Sequence, residues 1–135
     1  MRALLAIALL TSALALPARA AELVMFEQKG CVWCQKFDRE IAPAYGKTAE
    51  GTRAPLRRLD IAQPVPAELA FVTRERFTPV FVLIDGGREI GRIRGYPGDI
   101  FFWGLLANLI ERLDRGESAA PEPLGAAPPG ATFAE

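Results

Sequence analysis

The chain has 135 residues, half of them apolar, with 16 Lys plus Arg, 16 Asp plus Glu and no histidine. That is material for one ordinary domain with a core, which excludes a wholly disordered chain, and the balanced charge argues against electrostatic capture of nucleic acid. Lack of histidine excludes Ser–His and Cys–His catalysis, His metal sites and a His pH switch; the only serines, Ser12 and Ser118, lie near the two ends, and the two cysteines, Cys31 and Cys34, fall short of a four-ligand zinc site.

In chain order, residues 1–20 read as a secretory signal peptide. Met1-Arg2 is a short positive start, Ala3 to Leu16 is an apolar run broken only by Thr11 and Ser12, and Ala18-Arg19-Ala20 has the small-x-small form of a cleavage site. The run is short for a membrane span, which needs about 20 residues; the alternative is an uncleaved anchor. Cleavage after Ala20 would remove Arg2 and Arg19, leaving 14 basic and 16 acidic residues and a net charge of −2. Export places the protein in an oxidising space, where redox partners decide whether two cysteines are paired.

Leu23 to Phe26 is a buried strand stopped by Gly30. Cys34, Phe37, Ile41 and Tyr45 then recur at helical spacing, so a helix runs from Cys31 to about Tyr45, ended or kinked by Pro43. Leu56 to Ile61 is a second strand. Pro66 opens a helix through Ala67 to Val72. Pro79 precedes a fully apolar strand, Val80 to Ile84, and Asp85-Gly86-Gly87 is a hairpin turn. Glu89 to Arg94 alternates polar and apolar as a half-exposed strand, and Asp99 caps a helix that puts Phe102, Leu106, Leu109 and Leu113 on one face. Of Phe101, Phe102 and Trp103, one is left outside. From Arg115 onward Ala, Pro and Gly dominate without period, the composition of a disordered tail, so the folded unit is residues 22–114. The order β-α-β-α-β-β-α is an α/β fold: one mixed central sheet with helices on both faces.

The chemistry concentrates in Gly30-Cys31-Val32-Trp33-Cys34, which follows a strand and opens a helix. Two residues between cysteines in a first helical turn bring the sulfurs within disulfide range. The unsatisfied N–H groups and positive dipole end favour a thiolate at Cys31, with Lys29 close by, while Cys34 lies a turn deeper. Cys31 is then the attacking thiol and Cys34 the resolving one. Two other readings stand beside this. A stapling disulfide would close a loop worth only about 2 kcal/mol, against about 3 for a fifteen-residue loop. Two thiolates are also a site for Cu(I).

Cys-x-x-Cys at a strand-to-helix junction, Phe77-Thr78-Pro79-Val80 before an apolar strand, then Asp85-Gly86-Gly87 and Gly95, resembles the thioredoxin family over nearly all of residues 22–114. The chain lacks the extra N-terminal strand and helix of full thioredoxins, so the fold implied is the minimal one. The text Phe26-Glu27-Gln28-Lys29-Gly30-Cys31-Val32-Trp33-Cys34, followed by Asp38-Arg39-Glu40 and Ala54-Pro55-Leu56-Arg57-Arg58, is similar to the SoxS-type periplasmic thioredoxins encoded with bacterial sulfur-oxidation genes.

The resemblance implies a periplasmic thiol–disulfide oxidoreductase that reduces a protein disulfide, with a SoxYZ-like sulfur carrier as the partner. Electrons come from a membrane thiol carrier, and neither cofactor, metal nor nucleic acid is needed. It implies a cis Thr78-Pro79 bond facing the cysteines, whose backbone pairs with a substrate segment like an added strand, and Gly95 on a third loop of that groove. Val32 and Trp33 complete the substrate side, Trp33 as an exposed aromatic contact. Thioredoxins commonly carry a buried Asp six residues before the first cysteine; here Met25 stands there. Glu27 points to the same side as Met25 and is the candidate proton acceptor for Cys34, the alternative being a solvated carboxylate near a strand end. Val32-Trp33 replaces the Gly-Pro of thioredoxin, so an oxidant or isomerase of the same fold stays open, as does a non-enzymatic Cu(I)-binding module. Arg57, Arg58, Arg88, Arg92 and Arg94 read as solvated faces, or more weakly as a dock for an acidic partner.

Overall fold

In the computed structural model, residues 21–119 are described; the signal peptide expected over residues 1–20 lies outside them. The elements are β1 (Glu22–Glu27), α1 (Val32–Glu40), α2 (Ala42–Tyr45), α3 (Ala49–Arg53), β2 (Leu56–Asp60), a 3-10 turn (Ala67–Leu69), β3 (Val80–Asp85), β4 (Arg88–Arg94) and α4 (Asp99–Asp114). The sheet order is β2-β1-β3-β4, with β1 parallel to β2 and β3 antiparallel to both β1 and β4.

β1 is central because it carries four consecutive apolar residues, and alternation divides them between two cores. Leu23 and Met25 face the larger core, made with Phe37 of α1, Phe81 and Leu83 of β3, and Phe102, Leu106, Leu109 and Leu113 of α4. Its centre is an aromatic triad, Phe37–Phe81 at 4.8 Å, Phe81–Phe102 at 5.0 Å and Phe37–Phe102 at 5.2 Å between ring centroids. Val24 and Phe26 face the smaller core with Leu69, Val72, Val80, Val82 and Ile84.

Several expectations are corrected. The long first helix is two: it breaks at Ile41, and Pro43 sits in the opening turn of α2, where a missing N–H costs nothing. The helix expected through Ala67 to Val72 reduces to the single 3-10 turn, with Pro66 in an extended conformation before it (ψ 144°). One face of the sheet is therefore covered by α1 and α4, and the other by one turn and a stretch of coil. Asp99 is the first residue of α4 and not its cap; that place belongs to Gly98 at φ 96°, and the Asp99 carboxylate accepts from the Ile100 N–H at 2.6 Å. Phe101 is the aromatic left outside.

Residues 115–119, expected to begin the disordered tail, are tied down. Arg115 N–H bonds Glu111 O, Glu117 N–H bonds Arg112 O, and Ala119 N–H reaches Glu89 O of β4 at 2.9 Å. Residues 120–135 lie outside the described residues. The arginines read as solvated are all paired. Arg57 contacts Glu22 and Glu68, Arg58 contacts Glu27 and Asp38, Arg88 contacts Asp85, Arg92 contacts Glu75 and Glu89, and Arg94 contacts Glu75. The Arg92 side chain is only 10% exposed.

Candidate active site

The end of β1 delivers the chain to the N-terminus of α1 through a tight turn. Gly30 takes φ +79°, a conformation that side chains resist, and the Cys31 N–H closes the turn on Gln28 O at 3.2 Å. Cys31 is the N-cap of α1: its Sγ accepts a hydrogen bond from the Cys34 N–H at 3.0 Å. A sulfur therefore takes the place that a Ser or Asp oxygen usually fills, satisfying one of the orphan donors of the first turn.

Cys31 and Cys34 form a disulfide, with Cα atoms 5.2 Å apart. Their exposures are 7% and 4%, so the expected difference in depth is small. Phe37 locks the helix into the aromatic triad one turn further on. Beside this buried pair, Val32 is 68% exposed and Trp33 55%, with Lys36 Nζ 5.8 Å from the Trp33 ring centroid.

The sheet register puts the other groove residues at the same end. Phe26 of β1 lies opposite Val80, the first residue of β3, and Val80 lies opposite Arg94, the last of β4. Pro79 and Gly95 thus lie at the end of the sheet from which the cysteine turn departs. The Thr78-Pro79 bond is cis, and the Gly95 N–H donates to Pro79 O at 2.8 Å. Thr78 Oγ1 is enclosed and bonds no other protein group. Gly95 has φ +81°, which places this turn in glycine's own region.

Glu27 ends β1 on the side of Met25, as alternation predicts. Its carboxylate accepts from Arg58 at 2.6 Å, and the other arm of Arg58 binds Asp38 of α1. The Arg58 guanidinium also lies 5.9 Å from the Phe37 ring centroid, so it braces α1 against the sheet beside the cysteine turn.

Two residues escaped the sequence reading. Phe77, directly before Thr78, is 45% exposed and adds an aromatic face; the argument used for Trp33 applied to it equally. Tyr96, after Gly95, donates to Glu40 at 2.7 Å and packs edge-on to Phe37, tying the third loop to the end of α1. Burial, then this hydrogen bond to Glu40, pushes its phenol above the ordinary range. Nothing in its local text announces either contact.

Comparison with solved structures decides the family. The crystal structure of the periplasmic thioredoxin SoxS from Paracoccus pantotrophus, in its reduced form, is 48% identical. The match covers 69% of this chain and 98% of that one, with a TM-score of 0.65. The chain belongs to the thioredoxin family. The solution structure of a thioredoxin from Thermus thermophilus shares the fold at 24% identity, covering 72% of this chain and 79% of that one, with a TM-score of 0.56. No protein-family model and no curated protein matches the chain. In a thioredoxin fold, a Cys-x-x-Cys pair that joins as a disulfide at a helix N-terminus is a thiol–disulfide oxidoreductase site, and that is this chain's activity.

Proposed function

We propose that this thioredoxin acts in the periplasm, exported by residues 1–20, and reduces the disulfide of a partner protein, a sulfur carrier of the SoxYZ kind. The observation that carries the chemistry is the Cys31–Cys34 bond at the start of α1, with the Cys34 N–H directed at Cys31 Sγ. What supports the location and partner is the 48% identity to periplasmic SoxS. Among the described residues no helix is long and apolar enough to cross a membrane.

The reaction starts from the reduced pair. The Cys31 thiolate attacks one sulfur of the partner disulfide, and the other leaves as a thiolate. The helix N-terminus and the Cys34 N–H stabilise the negative charge on Cys31. The Cys34 thiol gives up its proton, for which Glu27 is the acceptor, and attacks Cys31 Sγ. This breaks the mixed disulfide, releases the partner as a dithiol and leaves Cys31–Cys34 oxidised. Two electrons have passed to the partner, and a membrane thiol carrier returns them. Val32, Trp33, Thr78, Pro79 and Gly95 form the surface against which the partner segment lies, Thr78 pairing with it as an added strand.

The test is trapping. Cys34→Ser removes the internal thiol that resolves the intermediate, so the variant accumulates in cells as a covalent adduct that reductant dissolves. Cys31→Ser traps far less. A SoxYZ-like carrier in the adduct supports the partner assignment. A Cys34→Ser protein that stays monomeric beside candidate partners, with Cys31 free and accessible, refutes the mechanism.

A further inference from the structure

The segment that presents Thr78 and Pro79 is held mainly by charge. Between Val72, which is buried, and Pro79, no apolar side chain is buried: Thr73, Arg74, Arg76 and Phe77 are exposed, and Glu75 and Thr78 are partly covered. Since the expected helix is a single turn, no apolar helical face anchors this stretch either. Its position is set by polar ties. Arg74 donates to the carbonyls of Ile61 at 2.7 Å and Gln63 at 3.1 Å. Arg92 donates to Thr73 O at 3.0 Å and to Glu75 at 3.1 Å, and Arg94 donates to the same Glu75 oxygen at 2.8 Å.

The two arginines are themselves fixed. They stand on β4 opposite Val82 and Val80 of β3, on the strand that Pro79 opens. Arg92 is held on its other side by both carboxylate oxygens of Glu89, a forked contact that removes much of its freedom beforehand. With the Arg92 side chain only 10% exposed and Glu75 24%, this pairing is sheltered from the screening that makes open surface ion pairs nearly worthless. The hydrogen bond from Arg94, with Arg92 adding to it, holds the Glu75 carboxyl below the usual carboxylate range, so it stays charged at neutral pH.

We propose that Glu75 is a positioning residue for substrate recognition: gripped by Arg92 and Arg94, it sets the register of the segment that offers the Thr78 backbone to an extended chain carrying a disulfide. This rests on the function proposed above and adds a determinant remote from the sulfurs. The clamp touches neither cysteine. Its loss leaves the reactivity of Cys31 intact and weakens only the docking of a polypeptide.

The experiment compares two disulfides. Insulin is a protein substrate whose chain must lie in the groove; 5,5′-dithiobis(2-nitrobenzoate) is a small disulfide that reports the thiolate alone. Glu75→Gln keeps shape and loses charge. Its kcat/KM for insulin, with dithiothreitol as reductant, is expected to fall about tenfold through KM, while its rate with the small disulfide stays within about twofold. Arg94→Met, at a side chain 48% exposed, leaves Glu75 one partner and is expected to lose about threefold on insulin alone; it carries the test if Glu75→Gln does not fold. The proposal is overturned if both variants keep insulin kinetics within about twofold of an active wild type, or if both substrates lose rate in the same proportion. A wild type that reduces the small disulfide but not insulin overturns the clamp's role in docking extended chains, while the proposed function stands or falls separately on the Cys34→Ser adduct.

Discussion

Consider reducing the Cys31–Cys34 bond in the intact protein and measuring what the fold loses. The bond closes a loop of four residues, since the cysteines are three apart. Chain-entropy bookkeeping for so short a loop gives about 2 kcal/mol. Part of even this is offset. The residues involved stay ordered without the bond, because the Gln35 N–H bonds Cys31 O at 3.1 Å and Phe37 is seated in the triad. The freed Cys31 sulfur also keeps its place as N-cap, where negative charge at a helix start contributes about 0.3–1 kcal/mol. The oxidised form should therefore be more stable by about 1–2 kcal/mol at neutral pH. Denaturant unfolding followed by far-ultraviolet circular dichroism, with and without dithiothreitol, measures this gap. Tryptophan fluorescence is unsuitable because Trp33 adjoins the bond and responds to its redox state. A gap above about 4 kcal/mol would exceed what so short a loop supplies and refute this accounting, and a reduced form more stable than the oxidised one would mark an oxidant and not a reductant.

Gly95→Ala meets no atom within 4 Å of the new Cβ, so its cost is the left-handed backbone at φ +81°, about 1–2 kcal/mol. Relief of that strain pulls the Gly95 N–H off Pro79 O, so KM for insulin should rise; Gly86→Ala, at φ +56° in the distant β3–β4 turn, should cost similar stability and leave KM alone. Equal insulin kinetics in both variants would remove Gly95 from the groove. Tyr45→Phe strands the buried Ala54 carbonyl, which accepts from the Tyr45 hydroxyl at 2.7 Å, and should cost about 1–3 kcal/mol in thermal or denaturant unfolding with the redox rate unchanged. A loss under about 0.5 kcal/mol would show that the bond is replaced once the hydroxyl goes.

The sheet was legible because each strand carries its own signal: β1 and β3 as uninterrupted apolar runs, β4 as alternation before a Gly-Gly turn. α4 was legible through the spacing of Phe102, Leu106, Leu109 and Leu113, all buried. α3 was not. It has five residues and only Gly51 fully buried, so no apolar period marks it. What makes it is capping and contact: Thr48 Oγ1 accepts from the Gly51 N–H at 3.0 Å, and a Cβ on Gly51 would stand 1.8 Å from Tyr45 O. Only glycine lets that turn lie against the end of α2.

The sulfur site was readable because its logic is local: strand, glycine, cysteine, two residues, cysteine. The charged framework around it was not, because its partners are distant in sequence. Arg58 reaches Glu27 and Asp38 across 31 and 20 residues, and Glu75 reaches Arg92 and Arg94 across 17 and 19. An arginine on an alternating strand reads as solvated, and whether it is depends on what covers that face. Here the two misreadings are one. A full helix through Ala67 to Val72 would have covered the second face with apolar side chains. The stretch from Ala67 to Val72 is only six residues, and so short a helix is marginal without a long apolar face. Coil crosses the sheet instead. Coil brings carbonyls and a carboxylate, and those need donors. Arg92 of β4 is covered by the segment whose helix failed to form, and in holding that segment Arg92 and Arg94 hold the entrance to Pro79.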